Sequence, residues 1–225
     1  MNTYGKASAR RFNSDSVYVS FYPRAFPSYD LGMTAQQRLA EYRDCVLKPK
    51  EIPILRLIYK GSDYADILGK IWYEPDEVKR ESIKHRSLGI GTVSASTYGR
   101  KASIPISERI KEYNGLVAVH ATAACSLERM KQTLSALPWV WYAGWDCDKR
   151  GIFAIVATEN DDYRLHKKYF VAVKEQLETL DFTISSTGMD PTDVHYVSYD
   201  PQPFIHEGCD LFSLQDVQQS KQKEE

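Results

Sequence analysis

No apolar run in the chain approaches the roughly 20 residues that a membrane-spanning helix requires, so no membrane partner is expected. Cysteine is sparse and unclustered. Cys45, Cys125, Cys147 and Cys209 share no C-x-x-C spacing, which argues against a zinc ribbon or a dithiol redox motif. With no signal-like N-terminus either, a reduced, cytoplasmic, soluble protein is the expectation. Neither sign of charge dominates: the formal net charge is −1 with 26% charged residues. Nothing global therefore points to a polyanion partner, and any nucleic-acid contact must come from a local patch. There is no internal repeat and no low-complexity tract outside the ends.

The most informative feature present is the element order over residues 115–200. Gly115–Ala121 is a short apolar run suited to a buried strand. Ser126–Leu137 sets Leu127, Met130, Leu134 and Leu137 at helical spacing behind a serine that can cap. Trp139–Trp145 and Gly151–Thr158 are aromatic and β-branched runs joined by the polar link Asp146–Arg150, which suits a hairpin. In Asp162–Leu180 the residues Tyr163, His166, Phe170, Val173, Leu177 and Leu180 share one helical face. Val194–Tyr199 is expected to close the series as a strand ended by Asp200-Pro201. Strand, helix, strand, strand, helix, strand is the split βαβ order. It predicts an α+β fold with a βαββαβ core of the ferredoxin-like or RNA-recognition-like type.

The first half reads as an elaboration of that core. Val17–Tyr22 alternates as a strand, Thr34–Leu47 carries Leu39, Tyr42 and Val46 at helical spacing, and Ser62 can cap a helix running to Ile71. Pro75 followed by Asp76 and Glu77 marks another helix start. Arg86–Ser107 is rich in Gly, Ser and Thr and reads as an extended loop or irregular hairpin, the best internal boundary. Residues 1–15 and 213–225 have little to bury and are expected to be disordered tails around one domain spanning 16–212.

Several short motifs point to one family. Ser198-Tyr199-Asp200-Pro201 follows the pair Tyr196-Val197. Ile110–Leu116 gives a basic approach to a first strand opening with Gly-Leu, and Lys84–Ser96 runs from lysine into a Ser/Gly loop. With these the chain resembles the N-terminal primase-polymerase-like domain of VirE-associated proteins in mobile elements and phages of Bacteroides-type bacteria. That family is a branch of the archaeo-eukaryotic primase superfamily, and the resemblance spans Val17 to about Phe212. It implies two-metal nucleotidyl transfer, with carboxylates holding Mg²⁺ or Mn²⁺, and work beside a replicative helicase.

The residues that would carry that chemistry depart from the family pattern. The two first-strand acids fall on His120 and Thr122, and the third-strand phosphate contact falls on Phe153. The third acid, about fifteen residues before the S-Y-D-P aspartate, falls on Ser185, and the arginine between them on Asp193. Exchanging three acids for His, Thr and Ser removes the negative charge that holds a hard cation. The resemblance with these departures implies a degenerate active site: a catalytically inactive module that binds nucleic acid or a replication partner, with no cofactor. A shift of register would bring Asp190 or Asp193 into the acidic role. An enzyme with relocated ligands, either a metal-dependent nucleotidyltransferase or a phosphoesterase, would draw them from His120, Asp146, Asp148, Asp190, Asp193 and His195, and would need Mg²⁺ or Mn²⁺. A purely protein-binding remnant is the third reading.

Other constellations are weaker. Asp146-Cys147-Asp148 is a D-x-D, but turn chemistry alone favours aspartate there. His120-Ala121-Thr122 fits the H-x-T of two-histidine phosphoesterases, although His195-Tyr196-Val197 supplies no second copy and His85-Arg86-Ser87 precedes a loop. Arg150–Ile155 resembles the third strand of RNA-recognition domains, with Phe153 more economically core. Trp139, Trp141, Tyr142 and Trp145 read as core and sheet-face aromatics. For nucleic acid the candidates are Arg100, Lys101, Lys149 and Arg150, which would bind weakly and without sequence preference.

Overall fold

The computed structural model of the protein describes residues 11–25 and 33–215. In chain order the elements are β1 (Tyr18–Tyr22), α1 (Ala35–Tyr42), β2 (Lys50–Pro53), α2 (Ile54–Tyr59), α3 (Ala65–Tyr73), α4 (Glu77–Ser87), β3 (Ile90–Thr92) and β4 (Ala95–Thr97). There follow α5 (Ile106–Arg109), β5 (Ile110–Tyr113), β6 (Leu116–Thr122), α6 (Leu127–Ser135), β7 (Val140–Trp145), β8 (Ile152–Ala157), α7 (His166–Glu178), β9 (Thr183–Ile184), β10 (Val194–Tyr196) and β11 (Phe204–Ile205). The chain is a mixed α+β protein with antiparallel sheets.

The five-stranded sheet has the order β11-β7-β8-β6-β9. Strand periodicity divides its side chains between two cores. Val117, Val119 and Ala121 of β6, with Ile152, Ala154 and Val156 of β8, lie under α6 and α7, where Met130, Leu134, Phe170, Val173 and Leu177 are buried. Ser126 caps α6 by accepting from Arg129 N–H, as its position before the apolar periodicity implies. The opposite face carries Leu116, Ala118, Phe153 and Ile155. It packs in a second core with Val19 and Phe21 of β1 and Leu57 and Ile58 of α2. Thus the four-stranded sheet, order β10-β3-β1-β2, and α2 cover the side of the larger sheet that α6 and α7 leave open.

Several expectations are corrected. The strand after α7 that joins the larger sheet is β9, with Ala121 opposite Ile184 and Thr122 opposite Thr183. Val194–Tyr196 belongs instead to the four-stranded sheet, pairing with β3. Two residues are too few to register as an apolar run, whereas Val194–Tyr199 has the composition of a strand without revealing its partner. The segment Arg86–Ser107, expected as an extended loop or irregular hairpin, holds two strands that do not pair with each other: β3 is an inner strand of the four-stranded sheet, β4 pairs with β5, and Leu88–Thr97 is buried throughout. Ser62 caps no helix, because Lys60–Tyr64 is a 3-10 turn in which its hydroxyl donates to Tyr59 O. Leu180 lies beyond α7 and is 40% exposed.

At the N-terminal end, Phe12 packs edge-on against Trp141 and its N–H donates to Cys209 O, so the ordered chain begins before residue 16. Leu214 likewise packs against the α6–α7 core. Residues 1–10 and 216–225, where tails were expected, lie outside the described residues. The turn between α2 and α3 presses on the S-Y-D-P stretch: a Cβ at Gly61 would meet Ser198 O at 1.7 Å, so only glycine fits there.

Candidate functional site

The period of β6 that sends Leu116 and Ala118 into the inter-sheet core sends His120 to the same face at its open end. Across from it, β10 delivers His195, which is 4% exposed. His120 Nε2 and His195 Nδ1 are 3.0 Å apart, with the rings stacked at a 26° interplanar angle. Phe153, directly opposite His120 on β8, lies 5.0 Å from the His120 ring and 5.2 Å from the His195 ring, centroid to centroid. The position expected to contact phosphate is thus a core aromatic that supports the imidazoles.

These rings form one wall of a cleft of about 200 Å³ lined also by Lys84, Asp146, Cys147, Asp148, Thr187, Val194 and Tyr196. Lys84 arrives from α4, where it shares a buried face with Arg80. Its ammonium lies 2.8 Å from one Asp148 carboxylate oxygen and 2.9 Å from the other, and it also pairs with Glu81. Burial opposes its charge, but the bonds from Asp148 and Glu81 outweigh that and hold the Lys84 pKa above its usual value. Burial also pushes the Cys147 thiol well up, and adjacent Asp148 adds to this, which leaves the thiol protonated and inert. Tyr196 is pushed up to about 12, chiefly by burial and then by Glu81.

Both imidazoles are held neutral. Burial depresses His195 far below the ordinary histidine value, reinforced by His120 and His166. Burial also lowers His120, Asp146 and Asp148 pull the other way, and Lys84 adds to the lowering. Two neutral rings share one proton between the facing nitrogens, so one ring donates and the other accepts.

The carboxylates of the hairpin are partly engaged within the fold. One oxygen of Asp146 accepts from the N–H groups of Asp148 and Arg150, both at 3.1 Å, closing the β7–β8 turn. Its other oxygen lies beside Gly151, where a Cβ would sit 3.0 Å from it and 2.6 Å from Ala121 O. Asp148 is taken by Lys84. Asp190 accepts from Thr192 N and Oγ1, and Asp193 accepts from Gly188 N and Asp190 N, so both close their own loop and neither lines the cleft. They flank His166, a buried, neutral ring whose Nε2–H donates to Gly188 O while Tyr113 O–H donates to its Nδ1. Thr122 is exposed at the strand end, and Ser185 donates its N–H to His120 O at 3.1 Å. His120, Thr122 and Ser185 therefore lie together at one end of β6, and none of the three is a carboxylate. Among the described residues no three His, Cys, Asp or Glu side chains gather as metal ligands.

The four basic candidates separate by role. Arg100 donates to Ala25 O and Cys45 O and lies over the Tyr22 ring, which ties it into the fold, whereas Lys101 is exposed. Arg150 is exposed at the hairpin tip, and the Lys149 ammonium sits 4.0 Å from the Trp145 ring centroid and 4.9 Å from that of Trp72. The S-Y-D-P aspartate is structural. Asp200 is buried and accepts from Lys131 Nζ at 2.9 Å, Gln202 N at 2.9 Å and Trp145 N at 3.3 Å.

Thr187 and Trp72 were not singled out by the sequence, and Lys84 entered only as the first residue of the Lys84–Ser96 motif, not as a cleft residue. Arg80, Lys84 and Leu88 do recur at four-residue spacing, but a mostly charged stripe reads as a solvated face. Comparison with protein-family models, with curated proteins and with solved structures found no match.

Proposed function

We propose that the protein is a non-catalytic, primase-polymerase-like module that associates with nucleic acid in the replication of a mobile element or phage. The strand order β7-β8-β6-β9, joined as strand, helix, strand, strand, helix, strand, supports a ferredoxin-like core. The elaborating sheet then covers one face of that core, and the cleft opens between the two.

One observation carries the loss of polymerisation. The end of β6, where the resemblance requires carboxylates, offers His120, Thr122 and Ser185, while of the nearby carboxylates Asp148 is paired with Lys84 and Asp146 closes the hairpin turn through one oxygen. Neutral imidazole and hydroxyl donors are a poor set for Mg²⁺, which favours anionic oxygen ligands. The remaining function is recognition, and the cations beside the cleft, Lys149 and Arg150, are its candidates, with Lys101 further along the surface.

The test is a primer-synthesis and primer-extension assay in Mg²⁺ and in Mn²⁺, run beside anisotropy titrations with single- and double-stranded DNA and RNA. Binding without nucleotide incorporation is the expected result. Incorporation abolished by Asp146→Asn or Asp190→Asn would instead establish the enzyme with relocated ligands. Absence of binding to every nucleic acid at about 50 mM salt, where phosphate contacts are strong, would leave the protein-interaction remnant.

A further inference from the structure

We infer that the tip of the β7–β8 hairpin is a preformed contact for single-stranded nucleic acid, in which Lys149 takes a phosphate and the indoles of Trp72 and Trp145 take the bases. The inference rests on the nucleic-acid reading above and says where and how the strand is held. Trp72 comes from α3 and Trp145 from the end of β7. Their rings meet edge-to-face with centroids 6.1 Å apart at an interplanar angle of 85°, which makes a right-angled aromatic corner. Both indoles are partly exposed. Trp72 is fixed by its N–H donating to Cys147 O at 3.2 Å, whereas the Trp145 N–H has no acceptor.

Lys149 occupies this corner in a manner that turn formation does not require. Its φ is 56°, in the left-handed region that a side chain with a Cβ rarely adopts. Glycine, asparagine or aspartate would close the same turn with less strain. Its ammonium has acidic neighbours in the same turn and pairs with none of them, since Asp148 is held by Lys84 and Asp146 by backbone N–H groups. Among the described residues neither Lys149 nor Arg150 makes an ion pair. Two indole faces therefore hold a cation that stays exposed to an incoming anion. Strain retained at an exposed residue whose charge is left without a counter-ion is the pattern of a binding contact.

The chemistry of the occupant follows from the pairing. A phosphodiester satisfies the cation, and the ring that Lys149 uncovers when it turns toward a phosphate can stack a base. Stacking of this kind is available from every base of a single strand and hidden within a duplex. Exposed Arg150, next to Lys149 in the hairpin tip, is a second cation for a neighbouring phosphate. An acidic peptide would satisfy Lys149 but supply no flat ring to stack on the indoles.

The experiment follows tryptophan emission of the full chain during titration with an oligothymidylate of about twelve nucleotides, with a duplex of equal length, and with polyglutamate. Saturable quenching by the single strand is expected, with binding at least about tenfold tighter than to the duplex. Lys149→Gln, at an exposed side chain, should fold normally by circular dichroism and weaken single-strand binding several-fold. The doubly substituted Trp72→Phe, Trp145→Phe protein should lose the quench, whereas Trp139→Phe should keep it. Binding by anisotropy with unchanged emission and an unaffected Lys149→Gln variant would overturn this inference while leaving the nucleic-acid reading intact. No binding to any nucleic acid would overturn both. Quenching by polyglutamate alone would assign the corner to an acidic protein partner.

Discussion

The imidazoles of His120 and His195, which come from different sheets and lie 75 residues apart in sequence, face each other at 3.0 Å and are both held neutral by burial. The contact closes the inter-sheet core at the cleft, and its proton balance makes the fold sensitive to acid. His166, in its own buried network, is depressed for the same reason.

Stability should therefore fall as the medium is acidified. In the unfolded chain these histidines take up protons as the pH drops through about 6.5, while in the native chain burial resists protonation. The unfolded state then binds more protons, so stability is full above about pH 7. It declines below 6.5 and levels off only once the native rings titrate. Each ring contributes at most about 1.4 kcal/mol per pH unit. Urea midpoints measured between about pH 8 and 5 should show this decline, with a smaller slope in His195→Gln. Equal midpoints at pH 7 and 5 would contradict it.

The larger sheet and its two helices should respond to truncation as a packed core. Leu134 and Leu177 are both 0% exposed beneath it, so Leu→Ala at either should cost about 2–5 kcal/mol. Leu180→Ala, at a site 40% exposed, should stay within about 0.5 kcal/mol. Urea unfolding at constant m-value separates the two classes. A small loss at Leu134 would mean that α6 does not seal the sheet.

These core positions were legible in the sequence because each lies in a long amphipathic helix or an apolar strand, where local periodicity and burial coincide. The last strand of the core was not legible, since Thr183–Ile184 is too short to show a period and the S-Y-D-P segment offered a stronger pattern. The cleft was half visible. His120 could be placed at a strand end from β6 alone, but its meeting with His195 and Lys84 depends on how β10 and α4 pack from distant parts of the chain. The hairpin link Asp146–Arg150 was read as a turn and is one. That Lys149 rests on Trp72 required a contact between α3 and the hairpin that no local pattern encodes.

Asp200 tests whether the S-Y-D-P motif here is structural. Its side chain is 0% exposed and its partner Lys131 is 11% exposed, so the pair is nearly buried and also anchors the end of β7 through Trp145 N–H. Removing one member of such a pair leaves a buried charge uncompensated. Asp200→Ala should thus destabilise by about 3–5 kcal/mol. Thermal and urea unfolding measure this directly. A variant of wild-type stability that no longer binds nucleic acid would move Asp200 from scaffold to ligand contact.

Salt dependence measures how many phosphates the surface neutralises. With a near-neutral chain and only small basic clusters, log affinity for a single strand should fall with log salt at a slope near −0.7 per contact. Reversing charge in Lys149→Glu, Arg150→Glu should make that slope shallower by about 0.7 for each contact removed. The loss should be equal for oligonucleotides of different sequence, because phosphate contacts position the strand without reading it. Arg100→Gln should behave differently: Arg100 is bonded to Ala25 O and Cys45 O, so its replacement should lower stability and leave the slope unchanged. Anisotropy titrations at three or more salt concentrations resolve these outcomes. An unchanged slope in the double reversal would place the phosphate contacts away from the hairpin tip.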